Sequence, residues 1–455
     1  MGRYKTGGYK DVINVSLPLV LSMGSTTVME FTDRVFLGNY SLNALAAAMP
    51  AGITSFVFTS FFMGVAGYTS VFVAQYIGAD NQEGVGSSLW QGIYFTLIGS
   101  LLMGLLSFAA EPIFNFIGHE PEIRSLEVIY FRILCLGTGA GLLGSTLSCF
   151  FSGRGVTKPI LVLHTAGTIF NIPLDYALIN GVWGFPEWGI KGAAIATVCS
   201  WILVAGLFIL LVFTRSNNRN YSVLKAWRFN KNLFTSLMKF GIPGGVQFFI
   251  EIMAFTFFIL MVGRLGRESL AVSNIILSIN ALAYMPMFGF SLGLTTLVGQ
   301  AIGKKEPQTA VIATRATTHI VVGYISILTL LFVFFPEPFI QMFLPTNIPL
   351  AESQGIMNTG IILLRFVILY LFFDSLAIIF TGALKGAGDT RFIMFVFTST
   401  SLLLLFIPVF AGVTYFGLGL YYSWACLTFY IIVLFCFVFI RYLNGKWKGM
   451  RVIDN

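Results

Sequence analysis

The sequence predicts an all-α polytopic membrane protein, with twelve transmembrane helices in two pseudo-twofold-related six-helix lobes around a central cavity. Three observations carry this. The chain is 56% hydrophobic and only 10% charged, with mean hydropathy +0.85, whereas a soluble domain carries about 25% charged residues. Apolar runs long enough for the roughly 20 residues that a spanning helix needs recur almost end to end. The second half of the chain also repeats turn residues of the first.

The spans read as 12–38, 50–77, 88–110, 124–151, 160–181, 190–214, 234–263, 271–302, 312–335, 354–384, 392–412 and 416–441. They must be helices, because lipid offers no partner to backbone polar groups. The chain is too continuously apolar for an outer-membrane barrel, whose strands alternate apolar and polar residues. Its 47 glycines and 15 prolines suit membrane helices, where they allow close packing and kinks. No cleavable signal is evident, so the first helix is expected to serve as its own insertion signal.

Orientation follows from the cations. About 20 of the 27 Lys and Arg residues fall in one set of termini and loops, Arg3, Lys5 and Lys446 among them, while the opposite loops hold Arg124, Lys191, Arg264 and Arg267. Both termini are therefore expected in the cytoplasm of a protein of the inner (plasma) membrane. The formal charge of +8 is this loop pattern and not a nucleic-acid footprint. Cys135, Cys149, Cys199, Cys426 and Cys436 lie in apolar runs without metal-ligand spacing and read as reduced core residues.

The polar stretch from Arg215 to Lys231 divides six spans from six, giving an N-terminal lobe of 1–218 and a C-terminal lobe of 219–455. A shift of 225 places Pro18 on Pro243, Gly38 on Gly263, Gly64 on Gly289 and Gln75 on Gln300. Gly153-x-Gly155-x-Thr157 matches Gly386-x-Gly388-x-Thr390 at a shift of 233. Six spans per repeat keep both halves in one orientation. Parallel repeats of this kind place a cavity between lobes and work by alternating access, which points to secondary transport.

Acids inside spans are costly and usually mark an ion path. Asp33, Asp175, Glu251 and Asp374 stand out. At about 1.5 Å per residue, Asp374 lies roughly 16 Å from Lys385 and Glu251 roughly 18 Å from Lys239, both near the midplane. Two such carboxylates suit a shared proton or a hard cation. Tyr370, one turn before Asp374, offers a ring face to a cation. In the first half Asn171 and Asp175 share a helix face across Pro173, which frees carbonyls, and Thr197 adds a hydroxyl. A hard cation is thus expected either at Glu251 and Asp374, with Tyr370 beside them, or near Asn171, Asp175 and Thr197.

Plainer readings compete. An intramembrane acid also serves to pair with Arg, but no cation lies within two turns of Glu251 or Asp374 on their own helices. Asp33 adjoins Arg34, with Arg132 and Arg365 in possible reach, and Glu30 pairs most simply with Arg34. Asp175 also suits the role of a kink cap, and span aromatics such as Tyr370 ordinarily pack. His119, His164 and His319 are isolated, no Ser-His-Asp grouping appears, and Gly153-Arg-Gly155 lacks the context of a phosphate loop. The chain is therefore not expected to be an enzyme or to carry a cofactor.

At these residues the sequence resembles the MATE family (multidrug and toxic compound extrusion), in its NorM-type branch. The resemblance covers nearly the whole chain. It rests on Phe31-Thr32-Asp33 followed by Gly38, Gly241-Ile242-Pro243 followed by Glu251, Tyr370 with Asp374, and the Gly-x-Gly-x-Thr turns. It implies export of organic cations, drugs and dyes, in exchange for inward Na+ or H+. It also implies that Asp33, Glu251 and Asp374 are essential acids, with substrate contacts at Tyr370, Asp374 and Glu251. A first-lobe cation site would use Asp33, Asn171, Asp175 and Thr197. Arg34 departs from the pattern, since relatives often lack an Arg directly after the first-span Asp. A monomer is expected. The rivals are a lipid-linked oligosaccharide flippase of the same superfamily, whose anionic substrate would need Arg34, Arg132 and Arg365, and a membrane-embedded transferase, whose polar catalytic loop is not seen. A channel lacks its filter loop.

Overall fold

The computed structural model describes residues 7–344 and 350–453; Arg3 and Lys5, used above for orientation, lie outside them. Twelve long helices follow in order. They are α1 (Tyr9–Tyr40), α2 (Leu42–Gly78, with a turn at Tyr68), α3 (Gln82–Ile117) and α4 (Pro121–Gly153). Next come α5 (Lys158–Asn180) and α6 (Ile190–Val212). The second half has α7 (Lys231–Gly263), α8 (Arg267–Gly303), α9 (Pro307–Phe334), α10 (Ser353–Ala387), α11 (Thr390–Thr414) and α12 (Leu420–Leu443). Among the described residues, 11 of these are long and apolar enough to cross a membrane. The twelfth, α5, has the length but carries His164, Asn171 and Asp175, which lower its hydropathy.

Helix ends depart from the expected spans where capping outweighs apolarity. Helix α2 begins at Leu42 and not at 50, because the Ser41 side chain accepts from the Ala44 amide at 3.4 Å, an N-cap. Pro50 is thereby absorbed inside the helix. Asn81 caps α3 in the same way through the Gly84 amide at 3.0 Å. Helix α11 widens into a π turn over Ser401–Phe406, just before Pro408, which has no N–H to continue the ladder.

The stretch read as a linker is folded. Thr214 caps a short helix over Arg215–Tyr221, and Val223 is fully buried. The Trp90 indole donates to the Val223 carbonyl at 2.7 Å, and the Asn230 amide donates to Gln91 Oε1 at 3.3 Å.

Packing groups the chain into two units. Of the described residues, one unit holds Leu17–Phe249, Gly299–Lys305 and 451–453. The other holds 7–16, Ile250–Val298 and the described part of Glu306–Met450. These bounds do not follow the 218/219 division drawn from the repeat. The reason is local. The start of α7 packs on α2 so closely that a Cβ on Gly64 would lie 2.7 Å from the Gly245 Cα. Likewise, the start of α1 packs on α8, where a Cβ on Gly293 would lie 2.1 Å from Ser16 Oγ. The first helix of each half thus begins in the unit formed mainly by the other.

In the larger unit, one apolar cluster gathers Ala47, Ala51, Phe114, Phe131 and Ala193. A second gathers Val85, Leu89, Phe150, Phe208 and Val223. In the other unit Phe258 meets Trp424 edge-on at 5.5 Å, and the Trp424 indole donates to Ser273 Oγ at 3.1 Å.

Candidate functional site

The larger unit brings Asp33 of α1, Asn171 and Asp175 of α5 and Thr197 of α6 into one buried polar cluster. Asn171 and Asp175 are 0% exposed, Asp33 and Thr197 7%. Their placement follows from helix geometry. Residues 171 and 175 are one turn apart on the same face, and Pro173 between them has no N–H to give the preceding turn. The Thr197 hydroxyl donates to Asp33 Oδ2 at 3.4 Å, and the Asp175 carboxyl is an electrostatic neighbour of Asp33. Asp33 Oδ1, both Asp175 oxygens and both Asn171 amide atoms find no partner in the protein. An unsatisfied buried polar group costs about 1–3 kcal/mol, and five such atoms gather here. Tyr130 of α4, also buried, lies within range of both acids; a lone span tyrosine gave no sequence signal for it.

Two of the charged neighbours proposed for Asp33 are engaged elsewhere, and the third is exposed. Arg34 is exposed and sits 4.0 Å from Glu30, one turn back. Successive helical residues point about 100° apart, so Arg34 turns away while Asp33 turns in. Arg132 donates to Glu111 at 2.8 Å, and Arg365 is exposed.

The other unit brings Glu251 of α7 near Asp374 of α10. Both are half-buried. The Tyr284 hydroxyl of α8 donates to Glu251 Oε1 at 2.9 Å. Tyr370 lies one turn from Asp374, is fully buried, and its hydroxyl has no protein partner. Tyr284 was not among the residues singled out from sequence. The available signal was weak, a tyrosine two residues before Pro286 in an otherwise apolar span.

The donor sets suit a small hard cation or a proton. Carboxylate, amide and hydroxyl oxygens are the ligands that hard cations prefer. Among the described residues no group of three or more His, Cys, Asp and Glu side chains is arranged for a transition metal. Two of the histidines are occupied: His119 Nδ1 lies 2.7 Å from Glu127 Oε1, and His319 Nδ1 lies 2.7 Å from the Tyr9 hydroxyl.

A family model, MatE, matches residues 18–177 and 243–410, well over half of the chain. The chain belongs to the MATE family. Its relatives are of the NorM type. A protein of Thermotoga maritima described as "Probable multidrug resistance protein NorM" is 28% identical, covering 98% of this chain and 94% of its own. The "Multidrug resistance protein PmpM" of Pseudomonas aeruginosa is 29% identical, covering 85% of this chain and 80% of its own. Among solved structures, a MOP superfamily transporter from Pyrococcus furiosus superimposes with a TM-score of 0.86 at 19% identity, over 97% of this chain and 96% of that one. That likeness fixes the fold. As a MATE protein the chain is a membrane transporter, not an enzyme.

Proposed function

We propose that this MATE protein exports small organic cations, drugs and dyes among them, in exchange for inward Na+ or H+. The printed names of its relatives, multidrug resistance proteins, support the substrate class. The observation that carries the coupling is the buried pair Asp33 and Asp175, with Asn171 and Thr197 beside it and five polar atoms that the protein itself leaves unanswered. Two facing carboxylates repel as a dianion, and one proton or one small cation between them removes the repulsion. Binding and release of that ion is therefore tied to a change in local charge, which a transport cycle needs.

Glu251 and Asp374, with Tyr284 and Tyr370, form the second acidic site. It is suited to a shared proton, to Na+, or to the positive charge of the substrate. We assign it the main coupling step, by competition: ion and substrate use the same acids, so each disfavours the other. The Asp33 cluster then serves as the supporting cation or proton site. The protein acts as a monomer in the inner membrane with both termini cytoplasmic. A flippase for an anionic lipid-linked sugar is the weaker reading, because Arg34 and Arg132 are ion-paired rather than grouped.

Proteoliposomes loaded with a cationic dye, with Na+ and pH gradients imposed separately, test the proposal. Efflux under one of the gradients, lost when that gradient is collapsed, is the expected result. Efflux indifferent to both gradients would sink it.

A further inference from the structure

The segment between α6 and α7 is fastened to the first turns of α3. At Gly86 the two chains come so close that a Cβ would lie 2.3 Å from the Tyr221 carbonyl oxygen. Trp90 and Gln91 hold Val223 and Asn230, and the Tyr94 hydroxyl donates to the Trp227 carbonyl. These contacts set the height of the segment along α3. Large apolar side chains of α3 are exposed at Leu97, Leu101, Leu105 and Phe108, and none before Leu97 is exposed. On α6 the exposed ones end at Leu211. The lipid-facing surface therefore stops where the segment begins, one turn from Tyr94. The segment lies at the edge of the hydrocarbon layer.

At that edge the segment presents two chemistries side by side. Trp227 and Phe229 are 58% and 57% exposed, and amphipathic rings gather at headgroup level. Phe229 is held against Tyr94 and Phe234, with ring centroids 5.6 and 5.1 Å away. Arg228 and Lys231, also exposed, line an open cleft of about 410 Å³ together with Ser87, Asn230 and Asn232. Among the described residues no acid pairs with either cation. The sequence holds no Asp or Glu between Glu187 and Glu251. A cleft with two unpaired cations, a hydroxyl and amides suits a phosphate, which Arg grips as a fork and Lys as a point charge.

We propose that the cleft of Arg228 and Lys231 binds the headgroup of an anionic phospholipid, with Trp227 and Phe229 against the glycerol and the start of the acyl chains. The position at the hydrocarbon edge and the exposed rings commit the site to a lipid and not to a free anion. The acyl chains continue along α3 from Leu97. A zwitterionic lipid carries the same phosphate but adds a fixed cation, which Arg228 and Lys231 repel, so the cleft selects by net charge. The inference needs only that the chain crosses a bilayer and stands apart from the transport reading.

The test is native mass spectrometry of the full chain in detergent, with phosphatidylglycerol and phosphatidylcholine of equal acyl length. The parent is expected to retain phosphatidylglycerol roughly tenfold or more over phosphatidylcholine. Arg228→Gln with Lys231→Gln should remove that preference. Arg219→Gln with Lys225→Gln, an equal loss of charge in the same segment but outside the cleft, should keep it. Equal retention of both lipids by the parent, or the same loss in both double variants, overturns the site. Displacement of the lipid by inorganic phosphate, where chloride of equal ionic strength leaves it bound, makes it a free-anion site and overturns the lipid assignment. Should the Arg228 and Lys231 variant fail to fold, a benzophenone-bearing residue in place of Trp227 decides. Photo-labelling of phosphatidylglycerol over phosphatidylcholine in mixed nanodiscs supports the site, and equal or absent labelling overturns it.

Discussion

The Thr197 hydroxyl donates to Asp33 Oδ2 across 3.4 Å, and so joins two helices that lie 164 residues apart in the chain. Asp33 Oδ1 and the whole of the Asp175 carboxyl remain without a protein donor. Hydrogen bonds to carboxylates are among the stronger ones in proteins. Three carboxylate oxygens left unanswered in a buried place are thus unlike the oxygens of a structural ion pair.

Asp33→Asn should weaken ion-coupled efflux, with residual ion binding surviving at Glu251 and Asp374, and leave the fold intact or slightly firmer. Neutralising one of two facing acids relieves repulsion. Breaking a buried pair with Arg would instead cost about 3–5 kcal/mol. Thermal melting of the purified variant in detergent, together with dye efflux, distinguishes the two. A marked drop in melting temperature would favour an ion pair, and full efflux would remove Asp33 from the coupling machinery.

Tyr284→Phe removes the hydroxyl that donates to Glu251 and keeps the ring. A hydrogen bond to a charged group contributes about 1.5–3 kcal/mol, so coupled efflux should fall roughly ten- to hundredfold if Glu251 acts as a carboxylate in the rate-limiting state. Glu251→Gln should fall further. Efflux by Tyr284→Phe equal to that of the parent would make the contact incidental to transport.

Much of this was legible in the sequence for reasons that can be named. The spans were visible because lipid forces long apolar helices, and only their ends were misjudged, where Ser41 and Asn81 cap beyond the apolar run. Asn171 and Asp175 were readable as neighbours because four residues make one turn. Tyr284 was not readable, since its meaning comes from Glu251 on another helix, and span tyrosines commonly do no more than pack. The fold of the linker was hidden because its anchors, Trp90 and Gln91, lie more than 130 residues earlier. The exchange of the starts of α1 and α7 was hidden as well. A repeat says which residues are equivalent, not which of them touch.

Topology is open to direct measurement. Cysteine tags at Asn218 and Lys446 should react with an impermeant maleimide only from the cytoplasm, and a tag at Glu187 only from outside. Glu187 accepts from the Tyr40 hydroxyl at 3.0 Å, beyond the end of α5, so its tag reports on the loop before α6. Cytoplasmic labelling at Glu187 would reverse the proposed orientation.

Asp389 and Arg441 give the contrasting case, an acid that should matter for stability and not for coupling. Asp389 sits in the Gly386-x-Gly388-x-Thr390 turn, where Gly388 takes φ +109°, and is 6% exposed. Arg441, near the end of α12, donates to both of its oxygens, at 2.6 and 3.2 Å, and lies 4.7 Å over the Phe392 ring. A two-bond guanidinium fork of this kind fixes geometry as well as charge. Asp389→Asn leaves a partly buried guanidinium with half its partner, and Arg441→Ala leaves a buried carboxylate with none. Removing one member of a buried pair costs about 3–5 kcal/mol, and the Arg441 pair, being partly exposed, should fall toward the lower end. The melting temperature should therefore drop for both variants, while the surviving folded protein keeps the parent's dependence on Na+ or pH gradients. Unchanged melting would show the pair to be ornamental to the fold. A changed ion dependence with unchanged melting would move Asp389 from the scaffold into the coupling path.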